Sequence, residues 1–554
     1  MEQAVPEERV VAADGTEPAG GPPATRSTVP AVLRRLGSTD PAQPALTWYR
    51  GGERGGSWSR GRLLTAIRDR QAWLRAALDL APGDRVVLHS TNRPEFVATA
   101  LAVMAAGAIV VPVPPDESTA RIRYITAHSE AKAVLSESGG DFGAPHHLLD
   151  LDPAPEAGHR EPPEWDVVPP DAPAVLLYTS GTTGSPKGVT LSHRNLMVNA
   201  EGLRRAHDIR ERSSHVCVLP LHHANAFGFS MISTLYAGGH LVLNDSFPLL
   251  AIRRIINDER ADVISVVPQI LQLWLRRPVR SEDVPSLRFV VSAAAPLSVD
   301  LARRFHAVTG LRIHQGYGLS ECTNFATCIA HDIAASEYDQ AMHAEPVPSI
   351  GTELFGCRCD VVDAAGNSLP EGVTGEIAVS GGNVMSGYWR DSATTAVALP
   401  DGRLRTGDQG YWRTLSGRRY FFITGRIKEL IIRAGTNVSP REVEDELELP
   451  YDHAVVGFPH EAVGEEVGLY VAETLPRHAQ STLCEALKEV PFFRRPKVVV
   501  FGGGSVPRTA TGKVRRGVLV AHFTPYREMV VLDKEPIFAS AGSAHLEEAG
   551  DSDG

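Results

Sequence analysis

Lysine is the scarcest of the common charged residues in this chain. Only seven of the 55 basic residues are lysine (Lys132, Lys187, Lys428, Lys488, Lys497, Lys513 and Lys534). Arginine serves as well on a solvated surface, so a retained lysine draws notice where a crowded reacting centre would want a slim, mobile ammonium rather than a planar fork. Cysteine is also rare, six in 554 residues. That excludes a disulfide framework and points to a reducing compartment. Cys357 and Cys359 lack a second pair at zinc spacing and read as buried thiols. Positive charge is not in surplus: the net formal charge is −11, of which residues 1–30 carry −3 and residues 541–554 carry −4. No basic surface of the kind that grips nucleic acid is expected. The chain opens on an acidic stretch rich in Pro, Gly and Ala, without the layout of a signal peptide. The longest uncharged apolar stretch, Phe96 to Pro115, is broken by Gly107, Pro112 and Pro114 and falls short of the ~20 residues of a spanning helix. These features together predict a cytoplasmic protein with no membrane span.

The residues that are present alternate in character. A helix with apolar 3.6 spacing (Leu63, Ile67, Trp73, Leu74, Leu78) leads through Pro82-Gly83-Asp84 to a strand over 85–89, a buried helix over 96–106 and a buried strand over 108–113. Short apolar strands followed by helices recur at Val175–Tyr178, His215–Leu219, Val263–Val267 and Phe289–Ser292. The pattern predicts an α/β fold with mostly parallel sheets flanked by helices. After 350, short strands with Gly turns (Cys359–Asp363, Gly375–Ser380) predict a small β subdomain, and an α+β segment closes the chain. The expected division is a disordered tail over 1–27, a surface connection over 151–173 and a large N-terminal domain over 28–425, β-rich from 350. A small C-terminal domain over 426–528 and an acidic tail over 540–554 complete it.

The strongest local signal is Tyr178-Thr-Ser-Gly-Thr-Thr-Gly-Ser-Pro-Lys-Gly-Val189. A strand runs into a loop holding Thr179, Ser180, Gly181, Thr182, Thr183 and Gly184, followed by Lys187. Glycine lets backbone amides approach an anion, and successive N–H groups form a nest for phosphate oxygens. Hydroxyls add donors and Lys187 adds charge. The spacing is not that of a Walker A loop.

This string resembles the phosphate loop of the adenylate-forming superfamily of acyl-CoA synthetases, peptide-synthetase adenylation domains and luciferases. Further segments resemble the family pattern in order. Gln315-Gly316-Tyr317-Gly318-Leu319-Ser320-Glu321 matches Y-G-x-T-E with Ser320 in place of Thr. Arg405-Thr406-Gly407-Asp408, Thr424-Gly425-Arg426-Ile427-Lys428-Glu429 and Pro507-Arg508-Thr509-Ala510-Thr511-Gly512-Lys513 match the rest. One segment departs: the adenine-pocket S-G-x-A-P reads Ser292-Ala293-Ala294-Ala295-Pro296. If the second position needs a positive φ, Ala293 is strained by about 1 kcal/mol.

The resemblance implies a large domain and a mobile C-terminal lid, and two half-reactions. A carboxylate attacks the α-phosphate of ATP to give acyl-AMP and pyrophosphate, and a thiol then takes the acyl group. It implies Mg²⁺ on Glu321, the ribose on Asp408 and Arg426, a base on Tyr317 with Gly316, Gly318, Leu319, Ala294, Ala295 and Pro296 around the nucleotide, and phosphates on Ser320 and Lys187. Lys513 would sit between the acid and the α-phosphate, and Lys428 would be the hinge. His223 would gate the acid's carboxylate, with His222 as the spare. Ala224 stands where an Asp pairs the ammonium of an α-amino acid, so a small carboxylic acid of another kind is expected, met by polar groups from Asn225, Asn324 and Cys322. The acceptor is coenzyme A or the phosphopantetheine arm of an acyl carrier protein. Arg494, Arg495, Lys497, Arg515 and Arg516 are a candidate basic docking face for either.

Overall fold

The most apolar stretches of the sequence become the parallel strands, because a strand covered on both faces has no polar side to show. Val263–Val266, Phe289–Ser292 and Ile313–Tyr317 pair in parallel with every residue buried. Ser214–Cys217, His240–Asn244 and Pro44–Arg50 extend the run in the same sense. The computed structural model describes residues 27–150, 165–179, 186–434, 436–447, 449–461, 463–502, 504–509, 512–528 and 536–540. The expected tails, apart from Ser27 and Ser540, and most of the 151–173 connection lie outside those residues.

A second sheet holds the parallel strands Arg85–His89, Ile109–Val113, Ala133–Ser136, His146–Leu148 and Pro173–Thr179. Lys187–Ser192 adds antiparallel to it, and Gly387–Tyr388 pairs with that strand. Helix Pro94–Ala105 is buried at every residue except Glu95 in its first turn and is otherwise almost wholly apolar, with Pro94 at the start where a missing N–H is harmless. No helix among the described residues is long and apolar enough to cross a membrane.

The β-rich segment after 350 shares a sheet with the parallel strands. Thr327–Cys328 pairs antiparallel with Ile313–Tyr317 and with Ser349–Glu353, so one 13-stranded sheet runs from the parallel strands into Cys357–Val362, Gly375–Gly381, Leu404–Leu415 and Arg418–Arg426. The two-residue joint, Thr327–Cys328, is too short to read from periodicity. The C-terminal unit also extends past 528: Ile537–Ser540 adds a parallel strand to Val498–Phe501, with Phe538 stacked on Phe501 at 5.9 Å. This unit has its own cores, Ile431, Val455, Leu469, Leu483 and Val499 on one side and Phe458, Tyr470 and Phe523 on the other. No disulfide joins any of the six cysteines; Cys359 is buried, whereas Cys357 is only half-buried.

Burial of histidine sets a pH response. His207, His215 and His314 are enclosed around Phe229 and Phe289, with His314 stacked on Phe289 at 4.1 Å. Burial pushes His215 and His314 down to about 3, and His207 well below its ordinary value with help from His314 and His215. The folded rings stay neutral while the unfolded ones take protons below about 6.5. Stability is therefore unaffected above that pH and falls beneath it, by up to about 1.4 kcal/mol per pH unit for each ring. Denaturant midpoints between pH 7 and 5 should fall, and His314→Phe should flatten the slope. Equal slopes for the two proteins would contradict this assignment.

Candidate active site

Four loops leave the C-terminal ends of adjacent parallel strands and close around one cavity, the position where open α/β sheets gather ligands. Leu219–Asn225 follows Ser214–Cys217, Val267 follows Val263–Val266, Ala294 follows Phe289–Ser292, and Gly318–Ser320 follows Ile313–Tyr317. The cavity measures ≈ 120 Å³, and among the described residues of the C-terminal unit Lys513 alone joins its lining. Backbone closeness fixes one of these loops: a Cβ at Gly318 would lie 1.7 Å from the Asn324 carbonyl oxygen.

Lys513 reaches the cavity on a tight turn. Gly512 donates to the Thr509 carbonyl (2.8 Å), and Thr509 donates to the Lys513 carbonyl (2.8 Å). Gly512 has φ +83°, and a Cβ there would meet the Gln269 amide at 2.1 Å. Without that carbon, Gln269 Nε2 donates to the Gly512 carbonyl at 2.9 Å. Arg441 adds a second contact between the units, donating to the Leu297 carbonyl at 3.0 Å. The Lys513 side chain is surrounded by protein yet open to the cleft. That burial and the Arg426 guanidinium lower its pKa, opposed by Asp408, Glu321 and Glu429.

On one side of Lys513, Tyr317 Oη donates to Asp408 Oδ2 (2.8 Å), and Arg426 Nε meets Asp408 Oδ1 (2.8 Å). Asp408 is buried, and its attraction holds Arg426 above the usual guanidinium range. Each carboxylate oxygen keeps a lone pair for a further donor. On the other side, Tyr388 Oη donates to Glu321 Oε1 (2.9 Å), and the Lys187 ammonium lies 5.4 Å from the centre of the Tyr388 ring. Lys187 faces Thr179 across the antiparallel pair Pro173–Thr179 and Lys187–Ser192. Ser180, Gly181, Thr182, Thr183 and Gly184 lie outside the described residues. Lys428 is exposed, in the single turn Ile427–Glu429 that follows the strand ending at Arg426.

The acyl side of the cavity is built by a local irregularity. Asn225–Ser233 is a π-helix, a widened turn that recurs at functional sites, and all nine residues are buried. His223 and Asn225 line the cavity, as does Ala224, while His222 packs against His223 at 4.3 Å without lining it. Burial lowers the His223 pKa to about 4, with Lys513 adding to the effect, so the ring is neutral near pH 7. Across the cavity, Thr323 has φ +70°, and Asn324 N–H donates to the Cys322 carbonyl at 2.8 Å. This is a γ-turn centred on a β-branched residue, a strained arrangement costing about 1–3 kcal/mol. Asn383 holds it, its carbonyl accepting from Thr323 Oγ1 (2.6 Å), and the turn delivers Asn324 to the cavity.

Three sequence expectations are corrected. Cys322 does not line the cavity; its thiol is buried and bonded to the Leu319 backbone. The left-handed residue of the adenine-pocket segment is Ala294 (φ 68°), not Ala293, so the departure at 293 carries no left-handed strain. Ala294 lines the cavity, whereas Ala295 and Pro296 do not. The expected basic face is largely neutralised: Lys497 is buried under Phe492, Arg494 pairs with Glu442 and Glu446, and Arg516 pairs with Glu429 and Glu444. Residues that sequence reasoning did not single out are Tyr388, Gln269 and Thr323.

A cleft at the strand ends, with a lysine supplied by a small second unit, defines a lidded α/β ligand-binding protein. Residues 33–389 match the family described as AMP-binding enzyme, and the chain belongs to that family. It is 33% identical over 469 residues to sulfoacetate–CoA ligase of Cupriavidus necator, covering 81% of this chain and 89% of that one. It is 31% identical over 487 residues to the fatty acid–[acyl-carrier-protein] ligase ScoC of Streptomyces coeruleorubidus, covering 81% and 88%. ATP-bound MatB from Rhodopseudomonas palustris superposes with a TM-score of 0.79 at 29% identity, covering 90% of this chain and 100% of that chain.

Proposed function

We propose that this chain is an ATP-dependent, AMP-forming ligase that joins a small carboxylic acid to a thiol, with coenzyme A as the acceptor. One observation carries the reading: Lys513, from the C-terminal unit, lines the same cavity as His223, Ala294 and Gly318–Ser320. In the first half-reaction a carboxylate oxygen attacks the α-phosphorus of ATP, and pyrophosphate leaves with the electron pair of the broken P–O bond. Such a reaction needs positioning and charge neutralisation more than covalent help. Lys513 supplies an ammonium where negative charge gathers. Neutral His223 offers the acid's carboxylate a donor rather than a competing charge. Asp408, braced by Tyr317 and Arg426, accepts from the ribose hydroxyls, and Lys187 with the Ser180–Gly184 loop takes the departing phosphates.

Glu321 is the residue that would hold Mg²⁺. Tyr388 fixes its Oε1, and no group of three or more His, Cys, Asp or Glu among the described residues could cage a metal. One carboxylate plus substrate phosphates is the usual Mg²⁺ arrangement, and the ion would spread the charge of those phosphates. In the second half-reaction the thiol attacks the acyl carbon and AMP leaves.

Likeness to ScoC favours one second reading, transfer to a carrier protein. Acid-dependent pyrophosphate release, followed by AMP release on adding coenzyme A or a phosphopantetheinylated carrier in turn, separates the two. Coenzyme A alone should discharge the adenylate. Discharge only by the carrier overturns the acceptor assignment, and no acid-dependent release overturns the ligase.

A further inference from the structure

No residue of the helix Thr119–Ser129 lines the cavity, yet two of its side chains meet the two ends of the phosphate loop. Tyr124 Oη donates to the Pro186 carbonyl at 3.3 Å, and His128 Nδ1 shares a hydrogen bond of 2.8 Å with Tyr178 Oη. Tyr178 stands next to Thr179 at the end of one strand, and Pro186 precedes Lys187 at the start of the next. The antiparallel ladder between them closes at the pair Thr179 and Lys187. Tyr124 and His128 are four apart and so share one face of the helix, where their rings stack at 5.5 Å with 17° between the planes. One pair of neighbouring side chains therefore holds the chain where it leaves for the loop and where it returns.

The helix is a fixed support. Ile122 and Ile125 are buried against Val111, Val113 and Leu176 of the second sheet. At its end Arg85 donates to the Ser129 carbonyl, and Glu130 pairs with Arg390. Arg390 follows Trp389, whose N–H donates to the Gly188 carbonyl at 2.7 Å. The carbonyls on both sides of Lys187 are thus held, that of Pro186 by Tyr124 and that of Gly188 by Trp389. Burial and the Arg390 guanidinium lower the His128 pKa, so its ring is neutral near pH 7. Packing alone would be served by phenylalanine at 124 and leucine at 128. The hydroxyl and the imidazole add the two hydrogen bonds.

Resting on the ligase reading above, we infer that Tyr124 and His128 are positioning residues for ATP, which fix the strand ends so that Lys187 meets the β- and γ-phosphates. They touch no substrate and act through Lys187. Their effect is confined to ligands that carry those phosphates, so AMP, which has the same base, ribose and α-phosphate, serves as an internal control.

The test measures dissociation constants of MgATP and of AMP by calorimetry, with the full chain and with variants checked for folding by thermal melting. Tyr124→Phe and His128→Leu should each weaken MgATP by about tenfold, the worth of one lost hydrogen bond, and leave AMP within about twofold. His128→Asn, whose amide can meet Tyr178 Oη where Nδ1 did, should bind MgATP within about threefold of the native chain. Added to Lys187→Ala, Tyr124→Phe should cost less than about twofold more, because residues that act through one another are not additive. Loss of AMP affinity in step with MgATP affinity overturns the inference, since the variants would then disturb the large domain as a whole. Unchanged MgATP affinity in folded variants overturns it too, as does a further tenfold loss in the Lys187→Ala background. These three results leave the ligase reading intact. Should His128→Leu fail to fold, Tyr124→Phe, which loses a single oxygen, still decides the matter. A native chain that binds no MgATP overturns this inference and the ligase reading together.

Discussion

Replacing Lys513 with alanine should lower acid-dependent ATP–pyrophosphate exchange by about 10²–10³-fold, the cost of removing one preorganised donor from a developing anion. Thioester formation from a supplied acyl adenylate should change little. The split follows from where the residue sits. Lys513 is delivered to the nucleotide–acid cleft by the turn at Gly512, and Gln269 and Arg441 hold the two units together around it. Its ammonium lies among Arg426, Asp408, Glu321 and Glu429, so its field is tied to the groups around the nucleotide. Lys513→Arg should not restore exchange. In a chain with seven lysines, arginine has replaced lysine almost everywhere a charge alone suffices, and a planar fork is too broad for a turn seated on Gln269. Exchange at the native rate in the alanine variant, or equal loss of both half-reactions, would remove Lys513 from the first step.

The second large effect is expected at the hinge. Lys428 lies in the turn Ile427–Glu429, between the last strand of the large sheet and the first strand of the C-terminal unit. A 3₁₀ turn has φ near the −65° that proline enforces, so Lys428→Pro is compatible with the arrangement seen here, in which Lys513 is at the cavity. What proline removes is any other value of φ. If the C-terminal unit swings between half-reactions, a few dihedrals must absorb the motion. Pyrophosphate exchange should then survive in Lys428→Pro, while thioester formation falls by about 10²-fold, the cost of misplaced reacting groups. Lys428→Ala, which removes the side chain and leaves the dihedral free, should retain both steps. A matching loss in the alanine variant would assign the effect to side-chain contacts and not to a pivot.

What could be read from the sequence was what depends on local order. Strand-and-helix alternation, the apolar runs that became parallel strands and the glycine-punctuated loop are properties of contiguous residues. The strand Ile313–Tyr317 and the loop after it were legible for this reason. Features made by distant partners were not. Gln269 lies 243 residues from Gly512 and has no local signature. The γ-turn at Thr323 violates the preference of a β-branched residue, so propensity argues against it, and only Asn383 sixty residues on explains its survival. The basic cluster misled because a run of arginines shows its charge but not its glutamate partners. The strand Ile537–Ser540 was missed because four residues at an edge give too short a period to recognise.

The antiparallel joint at Thr327–Cys328 has a practical meaning for dissecting this molecule. A fragment ending near 349 would strip the neighbour from that joint and leave the flank of a hydrogen-bonded ribbon bare, an invitation to intermolecular pairing. Severing the polypeptide just after Arg426 leaves every pairing of the large sheet whole. Anyone preparing halves for separate expression should cut at the swivel, and should carry the shorter half through to Ser540.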